Sequence, residues 1–324
     1  MPVAPVARRR RAASCGYRAS GTAGGCSLGW VMARTPRDLT GQIVAITGGA
    51  RGIGAATARA CAAAGMRVAI GDLDLVAARR AAADVGQGAI AIELDVSNRA
   101  SMRSFLDTVE QRLGPLDVLV NNAGIMHLGA LVDEDDASTS RQIDINVHGV
   151  LHGMKEALPR MTARGSGHVV NIASTAGRGG FAGAATYSGT KHFVLGASEA
   201  VRFELRGSPV DISCVLPVIV RTELAAGTSD ARFVAKLEPQ DVADAVVQTL
   251  RVPRFEVFVP RWMSAMMTFA AVLPRPAREG LARALKADRV FTTLDAGARR
   301  DYEQRAARSE PGLHEVGRSP DLSE

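Results

Sequence analysis

The sequence predicts an α/β protein, a single domain on a doubly wound parallel sheet with a helical C-terminal extension, and three observations carry that prediction. Short apolar runs of about five residues alternate with helical patterns between residues 43 and 259. Each link between successive runs is long enough for the crossover helix that parallel strands require. The runs are rich in Val, Ile, Leu and Ala and barely alternate with polar residues, as strands covered on both faces must be.

Taken in order, residues 43–47 read as the first strand and 52–64 as an Ala-rich helix closed by Gly65. Strands at 67–71, 89–94 and 118–120 are separated by helices at 75–84 and 99–113. A long helix is expected over 138–164, ended by Gly165 and Gly167, before a strand at 169–172. Next comes a helix opened by Tyr187, with Phe193, Ala197, Val201 and Leu205 as its apolar stripe. Gly207 and Pro209 stop it, and strands at 210–216 and 256–259 flank a helix at 238–250. No repeat of 20–50 residues interrupts the pattern. One domain over residues 37–260 is therefore expected, with 261–324 as a helical extension that frays into a polar tail beyond about Arg299.

Charge narrows the function classes. The net charge of +6 is matched by six arginines within residues 1–36 (Arg8, Arg9, Arg10, Arg11, Arg18 and Arg34), where no acid occurs, so the remaining chain is formally neutral. A neutral body has no basic stripe to follow a phosphate backbone, which argues against nucleic acid as partner. Residues 1–36 lack the apolar core of a secretory signal; their composition also suits an organellar transit peptide, but a disordered or artefactual extension ending near Met32 is preferred. Cys15, Cys26, Cys61 and Cys214 show neither metal-ligand spacing nor a disulfide framework, so no metal is expected. Cys61 and Cys214 fall in apolar patterns and read as buried thiols of a reducing, cytoplasmic compartment.

The chemistry concentrates in two places. The first strand empties through Thr47-Gly48-Gly49-Ala50-Arg51-Gly52-Ile53-Gly54 straight into a helix. Glycines there let the backbone approach a pyrophosphate resting on the positive end of the helix dipole. Asp72 ends the second strand about 20 residues on, where a carboxylate bonds the adenosine ribose hydroxyls and repels a 2′-phosphate. Arg51 pulls weakly toward the phosphate, so the balance favours NAD over NADP. The second place is Tyr187-Ser188-Gly189-Thr190-Lys191. Tyr187 and Lys191 lie one helical turn apart. A tyrosine with a pKa of about 10 is a poor base. A neighbouring ammonium lowers that value and makes Tyr187 a candidate general acid/base.

These motifs stand in the order of the short-chain dehydrogenase/reductase family, which the chain resembles from about Leu39 to Pro260, in its one-domain Rossmann-type form. Thr47–Gly54 matches the family's glycine loop, Asp95-Val96 the acidic position beside the adenine, and Asn121-Asn122-Ala123-Gly124 the turn after the fourth strand. Asn146, Ser174, Tyr187 and Lys191 match the catalytic positions. The resemblance implies that Ser174 holds the substrate oxygen against Tyr187. It implies that Lys191 tunes Tyr187 and bonds the nicotinamide ribose, and that Asn146 holds a water for a proton relay. It places the cofactor against Gly48, Arg51, Gly52, Ile53, Gly54, Asp72, Leu73, Asp95, Val96, Asn122, Ala123, Gly124, Tyr187, Lys191, Pro217, Val220 and Thr222. One departure is Pro217-Val218 where the family commonly has Pro-Gly, and valine resists positive φ, so a slightly different backbone path is expected.

The expected activity is hydride exchange between NAD(H) and a lipophilic secondary alcohol or ketone. The alternatives are an NADPH-dependent 3-oxoacyl or carbonyl reductase, and an inactive cofactor-binding scaffold, against which the complete catalytic set speaks. A homodimer or homotetramer through the Tyr187 helix and its long neighbour is implied by the resemblance alone. The loop from Glu223 to Leu237, with Leu224, Ala225, Ala226, Phe233 and Val234, is placed to cover the substrate, with Gly227 as a flexing point. Asp230, Arg232 and Lys236 are its few charges. The apolar run Trp262–Leu273 is shorter than the ~20 residues needed to span a bilayer. It extends the substrate wall, packs on a partner subunit, or, with Arg275, Arg278 and Arg283 near it, touches a membrane surface.

Overall fold

The computed structural model describes residues 35–229, 235–285, 290–292 and 295–308. The expectations for residues 1–34, Cys15 and Cys26 among them, and those for Asp230, Arg232, Phe233 and Val234, lie outside the described residues. From Pro36 the described residues form one compact unit.

The strands are β1 (Ile43–Thr47), β2 (Arg67–Asp72), β3 (Ile90–Glu93), β4 (Val118–Asn121), β5 (Gly167–Ile172), β6 (Val210–Pro217) and β7 (Glu256–Val259). Among the described residues these make one sheet in the order β3-β2-β1-β4-β5-β6-β7, every pair parallel. The chain winds outward from β1 to β3, then returns to place β4 on the other side of β1. Loops leaving β1 and β4 therefore diverge and open a crevice at the carboxyl ends of the strands.

The helices are α1 (Gly52–Ala63), α2 (Leu75–Val85), α3 (Arg99–Leu113), α4 (Asp136–Ile143), α5 (Gly149–Arg164), α6 (Ala185–Glu204), α7 (Pro239–Arg251), α8 (Met263–Val272), α9 (Arg275–Ala284) and α10 (Ala296–Arg308). Period-two alternation divides the sheet's side chains between two apolar layers. Ala45, Leu119, Val169 and Cys214 pack with Phe105, Met154 and Val194 of α3, α5 and α6. Val44, Ile46, Val120, Val170 and Val215 pack with Ala58, Ala78 and Val246 of α1, α2 and α7. Cys61 and Cys214 are buried free thiols, as their apolar surroundings suggest, and burial pushes both up to about 12. Asp74 and Asn98 accept first-turn N–H groups of α2 and α3, which fixes where those helices begin.

Two expectations are corrected. The long helix over 138–164 is interrupted by a π-helical stretch, Asp144–His148, which shifts the side chains of α4 and α5 out of register. The chain beyond Arg299 does not fray there. Residues to Arg308 form α10, whose Arg299 and Tyr302 are buried. The valine after Pro217 keeps negative φ, and its N–H donates to the Val259 carbonyl at 3.0 Å, so the backbone continues beside β7.

His168 on β5 carries a pH dependence. It is 3% exposed, its Nε2 lies 2.8 Å from the Ser213 hydroxyl, and Nδ1 has no partner among the described residues. Burial depresses it to about 4 from an ordinary 6.5. The unfolded chain then takes up this proton first as pH falls, so folded stability is lost between pH 6.5 and 4, by about 3 kcal/mol in all. Thermal melts across that window should slope downward toward acid in the native chain and flatten in His168→Gln. Equal slopes would show that another group governs the acid limb.

Candidate active site

Each element ends by delivering a side chain to the crevice. Thr47 closes β1, and its hydroxyl accepts the N–H groups of Asn122 and Ala123 at 3.0 Å each. The Asn122 amide returns to the carbonyls of Thr47 and Gly48 at 2.9 Å each. These bonds hold the glycine loop against the end of β4 and leave no room for side chains. Gly48 has φ +61°, and a Cβ on it would lie 2.8 Å from the Ala123 Cα. A Cβ on Gly54 would fall 2.2 Å from the Gly48 carbonyl oxygen. No acidic residue occupies the first turn of α1 and no side chain caps it, so its N–H groups face the crevice as an anion cradle.

Asp72 stands at the end of β2. One carboxylate oxygen accepts the Ala50 N–H at 3.0 Å and the other the Asp74 N–H at 3.1 Å. Burial raises its pKa, against the pull of those two N–H groups and of Arg51. Arg51 is bonded to Asp74 at 2.6 Å and is engaged there in this structure. Asp95 orients the next turn by accepting from Ser97 N–H and hydroxyl at 2.9 and 2.6 Å.

At the far side of the crevice, Ser174 follows β5 and its hydroxyl accepts the Ala176 N–H at 3.1 Å, starting a short 3-10 turn. The Ser174 and Tyr187 side chains line the same cavity, and Ser174 pulls the phenol's pKa down. Tyr187 and Lys191 both sit in the first two turns of α6 and both are buried. The Lys191 ammonium donates to the Ile172 carbonyl at 3.0 Å and lies 5.6 Å from the centre of the Tyr187 ring.

The expected direction of the Tyr187 shift is corrected. Burial pushes the phenol up to about 12, with Ser174 pulling it back, and burial brings Lys191 down to about 8. Each environment disfavours its own charge more than the two groups help each other at that separation.

Asn146 falls in the π-helical stretch. Its side chain accepts the Ile125 N–H at 2.9 Å and donates to the Ile125 carbonyl at 2.9 Å and the Thr190 hydroxyl at 3.1 Å. The amide thus ties the turn after β4 to α6.

One cavity of about 950 Å³ collects these groups. It is lined by all of the sequence-predicted site residues except Gly54, which packs beneath the loop, and Asn146, which stands behind it. Its far wall comes from the C-terminal extension, with Met263, Met266 and Met267 of α8 and Leu281 of α9. Of the run 262–273, Met263, Met266, Met267, Ala270 and Ala271 line this cavity, while Trp262, Phe269 and Val272 do not.

Sequence reasoning missed α10. Tyr302 lines the cavity, and its hydroxyl accepts the Met126 N–H at 2.8 Å. Arg299, 1% exposed, donates to the carbonyls of Leu224 and Ala226 at 3.1 Å each and to that of Met126. It clamps the loops after β4 and β6 to one helix. Gly227, expected as a flexing point, instead allows close approach: a Cβ there would lie 2.5 Å from the Asp295 carbonyl oxygen. The helix is polar around most of its circumference, so hydrophobic periodicity offered no signal for it.

The short chain dehydrogenase family profile matches residues 42–232. The chain belongs to that family and is an oxidoreductase that moves a hydride between a nicotinamide cofactor and a secondary alcohol or ketone. It is 39% identical to the sorbitol dehydrogenase of Cereibacter sphaeroides over 60% of this chain and 76% of that protein. It is 32% identical to the 3-alpha-(or 20-beta)-hydroxysteroid dehydrogenase of Mycobacterium bovis over 64% of this chain and 82% of that one. Glycine betaine reductase ATRR of Emericella nidulans is 34% identical over 66% of this chain, a match that spans only 18% of that protein's length. A short chain dehydrogenase from Burkholderia phymatum solved in complex with NAD superposes with a TM-score of 0.67 at 25% identity, over 72% of this chain and 94% of that one. Among the described residues no helix is long and apolar enough to cross a membrane.

Proposed function

We propose that the chain is an NAD(H)-dependent dehydrogenase of lipophilic secondary alcohols and ketones, with Ser174, Tyr187, Lys191 and Asn146 as its catalytic set. The observation that carries this reading is the gathering of Ser174, Tyr187 and Lys191 in one cavity with the glycine cradle. The cradle, the open α1 terminus and the Asp72 carboxylate fit a dinucleotide. When bound, that cofactor supplies the hydride acceptor or donor.

The chain's own residues do the rest. Ser174 holds the substrate oxygen beside the Tyr187 phenol, which gives it a proton in reduction and takes one in oxidation. The high Tyr187 pKa keeps that proton in place at neutral pH, which suits the reductive direction. Lys191, fixed on the Ile172 carbonyl, brings positive charge behind the tyrosine and is placed to bond the nicotinamide ribose. Asn146 holds the turn after β4 so that Gly124 stays open beside Lys191.

Cofactor choice rests on Asp72 and on Arg51. Asp72 keeps a second lone pair on each oxygen for the ribose hydroxyls, and Arg51, the residue that could hold a 2′-phosphate, is engaged by Asp74. NAD should bind more tightly than NADP by over tenfold, or about 1.4 kcal/mol. Fluorescence titration should show that gap narrowing in Asp72→Ala, and equal affinities in the native chain would reject the assignment.

The apolar walls formed by Met126, Phe181 and Phe291 near Tyr187, and by α8 and α9 beyond, support a lipophilic substrate. Across a homologous series of secondary alcohols assayed with NAD, kcat/KM should rise about fourfold per methylene, the equivalent of ~0.8 kcal/mol each, until the cavity is full. Efficiency that is flat or falls with length would overturn the apolar pocket. Ile143, Phe193 and Phe203 are exposed on α4 and α6, which supports a homodimer or homotetramer through those helices. The buried free thiols suit a cytoplasmic setting. A domain over residues 37–260, with 261–324 appended as a substrate-side extension, completes the reading.

A further inference from the structure

We propose that α8 and α9 dock the mouth of the substrate cavity on an anionic lipid surface. α8 is apolar at every position except Ser264 and Thr268, yet only its Met263 is buried, and no residue of α9 is. A ten-residue apolar helix with one buried side chain is an anomaly for a water-facing element. Its apolar residues divide between two sides. Met263, Met266 and Met267 line the cavity. Trp262, Phe269 and Val272 point away from it, at 50%, 59% and 76% exposure.

Charge selects the occupant. Arg261, Arg275, Arg278 and Arg283 are exposed along the same segment. The one acid between residues 261 and 285 is Glu279, whose carboxylate is taken by Arg275 at 2.8 Å. Arg283 donates to the Glu279 main-chain carbonyl at 3.3 Å, so Arg275 and Arg283 both gather at that residue. A second copy of this chain would fit poorly, because an isologous contact sets the same patch against itself and arginine against arginine. A neutral apolar partner would leave the segment's net charge of three, four arginines against Glu279, unanswered. Phosphate headgroups above acyl chains answer both features, with Trp262 and Phe269 in the interface and the arginines among the headgroups.

At 1.5 Å per residue α8 is about 15 Å long, half the hydrocarbon thickness, so it lies in the plane of the surface. Arg275 and Arg278 also border the cavity, so its mouth opens toward the lipid. A lipophilic alcohol dissolved in the membrane could then enter without crossing water. That consequence rests on the proposed activity; the docking does not.

The test is co-sedimentation of the full chain with vesicles of phosphatidylcholine, with and without phosphatidylglycerol. Binding is expected only to the phosphatidylglycerol vesicles, weakening with added salt. Arg261→Gln and Arg283→Gln should each lower it about fivefold. Trp262→Ser combined with Phe269→Ser should abolish it, while turnover of a short water-soluble alcohol and the solution mass stay unchanged. Failure to sediment, or equal binding to neutral vesicles, would overturn the proposal. So would a fall in solution mass in the double variant, which would make the face a contact between copies. Vesicle binding by a chain inactive on every alcohol would leave the docking standing and remove only the catalytic reading.

Discussion

Replacing Tyr187 by Phe lowers kcat by 10²–10⁴-fold and leaves NAD affinity nearly intact. That is the range general acid/base catalysis supplies, and the substitution removes one oxygen from a buried ring without emptying its volume. Ser174 keeps the Ala176 N–H in that variant, so the turn that carries it should hold. Lys191 adds a pH signature. Burial brings its pKa from an ordinary 10.5 to about 8, so its positive charge is present below that pH and lost as pH rises through it. In the free enzyme kcat/KM for ketone reduction should therefore decline above about pH 8. Stopped-flow and steady-state assays of the native chain and Tyr187→Phe check both points. A variant that kept more than about a tenth of the native rate would take the proton transfer away from Tyr187.

Arg299→Ala should release α10 and raise KM for the alcohol by more than tenfold. Its guanidinium satisfies three backbone carbonyls in loops that are far apart in sequence. Removing it leaves those carbonyls buried without donors, at about 1–3 kcal/mol each. The lowest-energy escape is for α10 to lift away and let water reach them, which withdraws Tyr302 and opens the cavity. Amide hydrogen exchange should lose protection over residues 296–308 while the sheet stays protected. Arg299→Lys keeps the charge but lacks the planar fork needed to reach three acceptors, so it should recover little. Unchanged exchange in α10, with an unchanged KM, would show that other contacts hold the helix.

Sheet, crossover helices and cofactor cradle were legible because their signals are local. An apolar run of five residues in a buried parallel strand looks the same wherever the chain is cut. Thr47–Gly54 reads as a tight strand-to-helix loop because of glycines, and at Gly48 and Gly54 a side chain would meet neighbouring atoms. Tyr187 and Lys191 are one helical turn apart, so their proximity follows from secondary structure alone.

Other features needed the folded chain. The Tyr187 shift depends on burial, which one-turn spacing does not report: the spacing suggested a lowered pKa, whereas exclusion of water raises it. The engagement of Arg51 by Asp74 joins residues 23 positions apart across two loop ends. Arg299 meets carbonyls 73 and 75 positions earlier in the chain and another 173 earlier. A polar helix that docks through one buried guanidinium has no periodicity to betray it, because its partners are main-chain oxygens whose positions only the tertiary fold decides. Sequence by itself thus determined the sheet, the glycine loop and the side chains proposed to react. Tertiary structure decided the directions in which burial shifts Tyr187 and Lys191 and the wall that α8, α9 and α10 build, since desolvation and long-range backbone contacts exist only once the chain has closed on itself.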